Sequence, residues 1–230
     1  MADRPYTLLS CAMSLDGYLD DASDRRLILS NEADFDRVDE ERAGCDAILV
    51  GAATVRNDNP RLVVRSSSRV ADRQRRGLTP TPIKVTVTER AKLDPDAAFF
   101  VVGETDKLVY CTSDTADEAR AAFGPAATVI DSGRSVTMRR LSEDLYTRGV
   151  RRLMVEGGET VLTQFLAEDL ADELHLVVAP FFVGDAQAPR FVRDGQYPWS
   201  PDRRARLVET RPIGDVVLLR YALSSRCSGV

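Results

Sequence analysis

The feature that most constrains this chain is the alternation of short apolar runs with stretches of helical period. Runs beginning at Tyr6, Ile48, Ile83, Lys107, Thr128, Arg152 and Leu174 read as buried strands. Between them, Ser30 or Asn31 can cap a helix reaching about Ala43, with Glu32 and Asp34 in its first turn to complement the dipole. Asp114 to Phe123 reads as a helix closed by Gly124-Pro125. Ser135 is placed to cap another, with Met138, Leu141 and Leu145 on its apolar stripe and Gly149 at its stop. Strands alternating with helices imply an α/β fold: a mostly parallel mixed sheet flanked by helices. Leu207 to Leu223 reads as a hairpin about Pro212-Ile213-Gly214-Asp215 and adds an antiparallel edge. The sequence shows neither repeat nor linker, so residues 1–230 are expected to form a single domain with its core at about 6–223.

Composition narrows the function. Hydrophobic content of 43% with 29% charged residues is that of an ordinary globular protein, and no apolar run approaches a membrane span. A net charge of -5 argues against nucleic-acid binding by general electrostatics and points to a small molecule. The cysteines Cys11, Cys45, Cys111 and Cys227 lack metal-ligand spacing, and His175 is the only histidine, so no metal site is expected and a Ser-His triad would have to use His175. The N-terminus carries no secretory pattern, which leads to the expectation of a cytoplasmic protein.

Ile48 to Arg65 leaves a strand at Gly51, crosses a polar segment with Thr54, Arg56, Asn57, Asp58, Asn59 and Arg61, and returns to an apolar run ending on Arg65. That density of hydrogen-bonding groups beyond a strand end marks a ligand site. Phe35, Val38 and Arg42 share one face of the preceding helix, which puts a guanidinium on the inward stripe, either snorkelling beside the helix C-terminus or binding an anion. Asp20, Asp21, Asp24, Arg25 and Arg26 read as a solvated loop, as does the basic segment from Ser66 to Gly77. Glu156-Gly157-Gly158-Glu159-Thr160 precedes a helix carrying Val161 and Leu162; its glycines allow close backbone approach and the helix N–H groups can hold a phosphate, although a plain tight turn has the same pattern. Glu159 would repel a diphosphate unless its side chain turns away. No dinucleotide-binding Gly-x-Gly-x-x-Gly or P-loop is present.

Ala12-Met13-Ser14-Leu15-Asp16-Gly17, the block Val50 to Leu62, and Val155-Glu156-Gly157-Gly158 together resemble the pyrimidine reductase of riboflavin biosynthesis, from about Tyr6 to Leu223. The resemblance implies a dihydrofolate-reductase-like fold, a homodimer, and NADPH-dependent reduction of a ribosylaminopyrimidine 5′-phosphate to its ribitylamino form. It also implies that Ala12, Thr54, Asp58 and the turn Gly158, Glu159, Thr160, Val161 and Leu162 contact NADPH, and that Arg42, Leu62, Arg65 and Glu156 contact substrate. Arg42 and Arg65 would then clamp the 5′-phosphate. Asp58 and Glu156 are the nearest catalytic proton handlers, with positioning roles preferred for both and water as donor; an Asx-turn is the alternative use of Asp58. Thr88-Glu89-Arg90 departs from the Asp followed by Ser or Thr that the family offers the cofactor, and Glu159 is a second departure. These leave open a same-fold reductase of another pterin-like imine or a silent nucleotide-binding module. The arginines would read a ribosyl phosphate common to the diamino and deaminated pyrimidines, so the sequence leaves both open.

Overall fold

The computed structural model describes residues 3–21, 23 and 27–227. In chain order the elements are β1 Tyr6–Ser14, α1 Glu32–Ala43, β2 Ala47–Gly51, α2 Ala52–Asp58, α3 Ser67–Arg75, β3 Ile83–Thr88, α4 Ala98–Val101 and β4 Lys107–Cys111. They continue with α5 Ser113–Phe123, β5 Thr128–Asp131, α6 Met138–Thr147, β6 Arg152–Val155, α7 Glu159–Ala167, β7 Glu173–Ala179, β8 Arg206–Ile213 and β9 Val216–Ala222. Asp24, Arg25 and Arg26 of the expected solvated loop lie outside the described residues. Among the described residues no helix is long and apolar enough to cross a membrane.

The chain divides into two compact units, Met1–Pro5 with Val38–Met154, and Tyr6–Arg37 with Val155–Val230. In the first, the strand order is β5-β4-β3-β2-β6, and β2/β3, β3/β4 and β4/β5 pair in parallel. Every residue of β2 is buried, as an apolar run covered on both faces requires. In the second, the order is β1-β7-β9-β8, with β1/β7 parallel and both β7/β9 and β8/β9 antiparallel. Gly214, at φ 63, turns the terminal hairpin, and Leu29, Val177, Ala179, Val216 and Leu218 form a core cluster there. The parallel strands and terminal hairpin are those expected from the sequence.

Several local expectations are corrected. Ser66 to Gly77 is not a loop: Ser66 Oγ caps α3 through Arg69 N, and Arg73 lies buried at 2% exposure. Arg73 is held there by donating to the carbonyls of Thr79 (2.9 Å), Ala43 (2.9 Å) and Cys45 (2.7 Å). A guanidinium that satisfies three carbonyls can anchor a helix whose composition looks wholly solvated. The crossing between Gly51 and Leu62 contains the seven-residue α2, whose last turn ends on Asn59 in the left-handed region. Asn59 Oδ1 accepts from Ala98 N, 39 residues further on, at 2.7 Å. Thr137, not Ser135, caps α6. The buried residues of α1 are the charged Asp34, Arg37 and Asp39, while Phe35 and Val38 are only half-buried. Ion pairing has overridden the apolar stripe.

Replacing Arg73 with Met would leave buried carbonyls without their donor, and Arg73→Met is expected to cost at least about 3 kcal/mol in urea unfolding. A loss below about 1 kcal/mol would show that those carbonyls find water instead.

Candidate active site

The expected site residues fall in both units, and each set has its own local geometry. In the first unit the segment from Leu62 to Ser66 is fixed by Asp39 on α1, buried to 1% exposure. Its carboxylate accepts from Arg65 N at 2.6 Å, Ser66 N at 3.1 Å and the Arg69 guanidinium at 3.1 Å. Arg65 Nε stands 3.7 Å from the same carboxylate, while its side chain is 56% exposed. One turn along α1, Arg42 donates to Val63 O at 3.4 Å. Arg42 and Arg65 are therefore both tied to one short stretch of backbone, the arrangement a two-arginine anion clamp needs.

The cations around this stretch are concentrated. Lys84 on β3 is fully buried and donates to the carbonyls of Phe99 and Val102, capping the end of α4. Burial, with the charges of Lys107 and Arg42, pushes its ammonium down to about 8. An anion bound beside Arg42 would relieve part of that repulsion.

Thr54 and Asp58 stand one turn apart on α2, so their side chains share a helix face. Leu62 is buried at 2% exposure and has φ 47, a backbone conformation that costs a non-glycine residue roughly 1–2 kcal/mol. Glu89 and Arg90 after β3 are exposed, with Arg90 N donating to Thr88 Oγ1 at 3.4 Å.

In the second unit, Ala12 lies on β1 against the Leu29–Val177–Leu218 cluster, and Glu156 is half-buried directly after β6. Gly157 and Gly158 have φ of 123 and 62. A Cβ at Gly157 would meet no described atom within 4 Å, so the demand for glycine there is conformational rather than steric. Gly158, without a side chain, caps α7 and leaves its first N–H groups to a ligand or solvent. Val161 and Leu162 are 3% and 0% exposed, and Leu162 N donates to Gly158 O at 3.1 Å. This turn fits a phosphate-bearing cofactor: strained glycines, uncapped N–H groups, and an acidic neighbour whose charge is directed elsewhere. Glu159 accepts from Arg190 N (3.0 Å) and Arg193 Nε (2.6 Å). The side chain turns away, as compatibility with a diphosphate demands.

Three features beyond the expected residues shape the second unit. Asp16, in the turn after β1, accepts from Ser14 Oγ and from the N–H groups of Val183 and Gly184. Desolvation alone would raise its pKa, but those hydrogen bonds outweigh it and bring the carboxyl down to about 2. Tyr18 accepts from Arg190 at 2.9 Å, with the guanidinium 4.8 Å from its ring centre. His175 is buried among Arg37, Glu173 and Arg220, at 3.2, 2.9 and 3.0 Å. Arginine can only donate, so Nδ1 accepts from Arg37, while Nε2 faces both the Arg220 Nε donor and the Glu173 carboxylate. Desolvation of Glu173 is outweighed by bonds from His175, Arg220 and Tyr6, which hold its carboxyl well below the usual range. His175 thus serves an ion-pair network. Among the described residues no His/Cys/Asp/Glu cluster could hold a metal, and the four cysteines are free thiols. The Asp-Gly pair at 16–17 signalled only a turn, and nothing near Asp39 in sequence announced a partner 26 residues away.

A model of the RibD C-terminal domain matches residues 5–219. The chain is 38% identical over 194 residues to a 2,5-diamino-6-ribosylamino-4(3H)-pyrimidinone 5′-phosphate reductase of Archaeoglobus fulgidus, covering 84% of this chain and 88% of that protein. It is 34% identical to a reductase of the same name from Methanothermobacter thermautotrophicus, covering 96% and 99%. Among solved structures, a Thermotoga maritima diaminohydroxyphosphoribosylaminopyrimidine deaminase/5-amino-6-(5-phosphoribosylamino)uracil reductase superposes with a TM-score of 0.76 at 22% identity. The match covers 95% of this chain and 56% of that one, so the chain spans little more than half of the two-activity protein. A dihydrofolate reductase of Enterococcus faecalis, solved with NADP(H) and RAB-propyl, matches at TM-score 0.53 and 14% identity over 94% of this chain and 98% of that one. Fold and motifs define a reductase with a dihydrofolate-reductase-like architecture. The chain belongs to the RibD C-terminal domain family, the reductases of riboflavin biosynthesis.

The low carboxyl pKa of Asp16 has a sign that can be checked. Its stabilising contribution is present above the ordinary value of 3.8 and is lost as pH falls toward about 2. Asp16→Asn is expected to unfold earlier than the parent at pH 7, with the gap closing between pH 4 and 2. A gap independent of pH would mean that the carboxylate charge is not what holds Val183 and Gly184.

Proposed function

We propose that this chain uses NADPH to reduce 2,5-diamino-6-ribosylamino-4(3H)-pyrimidinone 5′-phosphate to its ribitylamino product. Family membership and the activity for which the two archaeal relatives are named support the reading, and they favour the diamino over the deaminated pyrimidine. The observation that carries it is the pair Arg42 and Arg65, tied by Val63 O and Asp39 to one backbone stretch, where a 5′-phosphate could take both guanidinium groups.

The open-chain imine of the ribosylamine presents an electrophilic C1′. NADPH, when bound, would supply the hydride for that carbon and the imine nitrogen would take a proton, the C=N bond becoming a C–N single bond with no protein nucleophile required. The chain's task is orientation and dryness. In this reading Ala12, Thr54, Asp58 and the backbone from Gly158 to Leu162 hold the dinucleotide, with Glu159 and Thr160 in its first turn. Leu62 and Glu156 place the pyrimidine and its ribosyl chain, and Arg42 and Arg65 grip the phosphate. Asp58 and Glu156 act on the proton by ordering water, the donor itself being solvent. The chain works as a single cytoplasmic reductase domain, a homodimer that engages neither membrane nor nucleic acid.

Purified protein mixed with NADPH and this substrate should consume the cofactor, faster than with NADH; folded protein without turnover would overturn the reading. Arg65→Ala should raise KM for the phosphorylated substrate by about ten- to a hundredfold, the loss of one charge-assisted contact, and change KM for its dephosphorylated form far less. Equal losses for both substrates would remove Arg65 from the clamp. Light scattering should give twice the chain mass.

A further inference from the structure

Glu159 is the acidic residue that the phosphate-binding reading of the α7 turn least accommodates, and it is also among the most firmly engaged side chains there. Its side chain is 18% exposed, against 58% for Arg193. One carboxylate oxygen takes Arg190 N and the other takes Arg193 Nε, while Arg193 N donates to Thr163 Oγ1 at 3.0 Å, one helical turn further along α7. The segment from Pro189 to Arg193 is thereby fastened along the first turns of α7 by a side chain of that helix.

The same segment is fastened on its other side. Tyr18 and Arg190 form an isolated antiparallel bridge, Leu19 N donates to Pro189 O at 2.8 Å and Phe191 N to Gly17 O at 2.9 Å. The Arg190 guanidinium lies over the Tyr18 ring and bonds its hydroxyl. Further back, Asp16 holds Val183 and Gly184. The stretch 183–193 is therefore pinned at Asp16, Tyr18 and Glu159, and only the last attachment involves the cofactor turn.

Charge follows from this placement. A lone carboxylate beside α7's first N–H groups would oppose a diphosphate, but Glu159 is ion-paired with the Arg193 guanidinium at 2.6 Å and holds Arg190 through its backbone N–H, while the Arg190 guanidinium lies on Tyr18. We propose that Glu159 is a positioning residue for the dinucleotide. Its carboxylate clasps the Arg190 backbone and the Arg193 guanidinium, sets the 189–193 segment beside the α7 turn, and meets the cofactor's phosphates with its own charge already paired. This rests on the cofactor assignment under the proposed function.

The opposite view, that Glu159 merely weakens binding, predicts the opposite sign, which makes the test direct. NADPH affinity by fluorescence titration, KM and kcat would be measured for the full chain and for Glu159→Ala, Arg193→Ala and the double variant. Each single variant should raise Kd for NADPH about five- to tenfold, with the loss falling on KM more than on kcat. The double variant should lose no more than the weaker-binding single one, because both remove the same contact. Without cofactor, hydrogen exchange at the Arg190 and Arg193 amides should quicken at least about fivefold in Glu159→Ala. Tighter NADPH binding by Glu159→Ala, additive losses in the double variant, or unaltered exchange would each overturn the clasp. A parent protein that binds no NADPH would overturn the cofactor assignment as well, whereas a parent that binds with equally good variants would overturn only the clasp.

Discussion

One buried carboxylate does most to make the first unit what it is. Asp39 projects from α1 into a place where water cannot reach it, and such a burial is tolerable only because two backbone N–H groups and a guanidinium converge on it. Those donors belong to Arg65, Ser66 and Arg69, so satisfying the carboxylate also decides where the chain must run after Leu62 and where α3 must begin. The exposed guanidinium of Arg65 is presented by backbone that cannot drift. Removing the acid would leave the cations in place and take away their register.

The second unit repeats this economy with a larger network. Asp34 and Arg37 pair within a turn of α1 at 2.6 Å, Arg37 reaches His175, and His175 leads through Glu173 to Arg220 and Glu209. Tyr6 closes it on β1 at 2.7 Å from Glu173. Buried ion pairs of this kind add little net stability over apolar packing, and what they contribute is uniqueness: only one register of β1, β7 and β9 lets every charge find its partner. The turn that carries Asp16 and Tyr18 follows directly on β1, a strand of that network.

The parallel strands and the terminal hairpin could be read from the sequence, because an apolar run between turn residues has few other uses. The motifs that carry Ala12, Thr54 to Arg65 and Glu156 to Leu162 could be seen only as residue types, and the proposed site rests on them. The interiors of the polar segments were not visible. Ser66 to Gly77 looked solvated because Arg73 was counted as a surface charge, when its three carbonyl partners lie far from it in sequence or behind a turn. Phe35 and Val38 suggested an apolar face for α1, whereas Asp34, Arg37 and Asp39 occupy the buried one. Glu159 read as an obstacle for the same reason: its answer lies at Arg190 and Arg193, beyond any local pattern. Periodicity sees one element at a time, and these are agreements between elements.

The buried ammonium of Lys84 has a practical corollary. Lys84, Lys92 and Lys107 are the only lysines of the chain, and Lys84 alone is sealed, at 0% exposure. A lowered pKa gives it a larger share of free amine near neutrality than an ordinary lysine has, so access rather than basicity limits its acylation. Amine-reactive reagents will therefore mark Lys92 and Lys107 promptly and Lys84 only when β3 and α4 part. The protein carries its own chemical clock for the opening of the unit that bears Arg42 and Arg65, readable peptide by peptide without any engineered label.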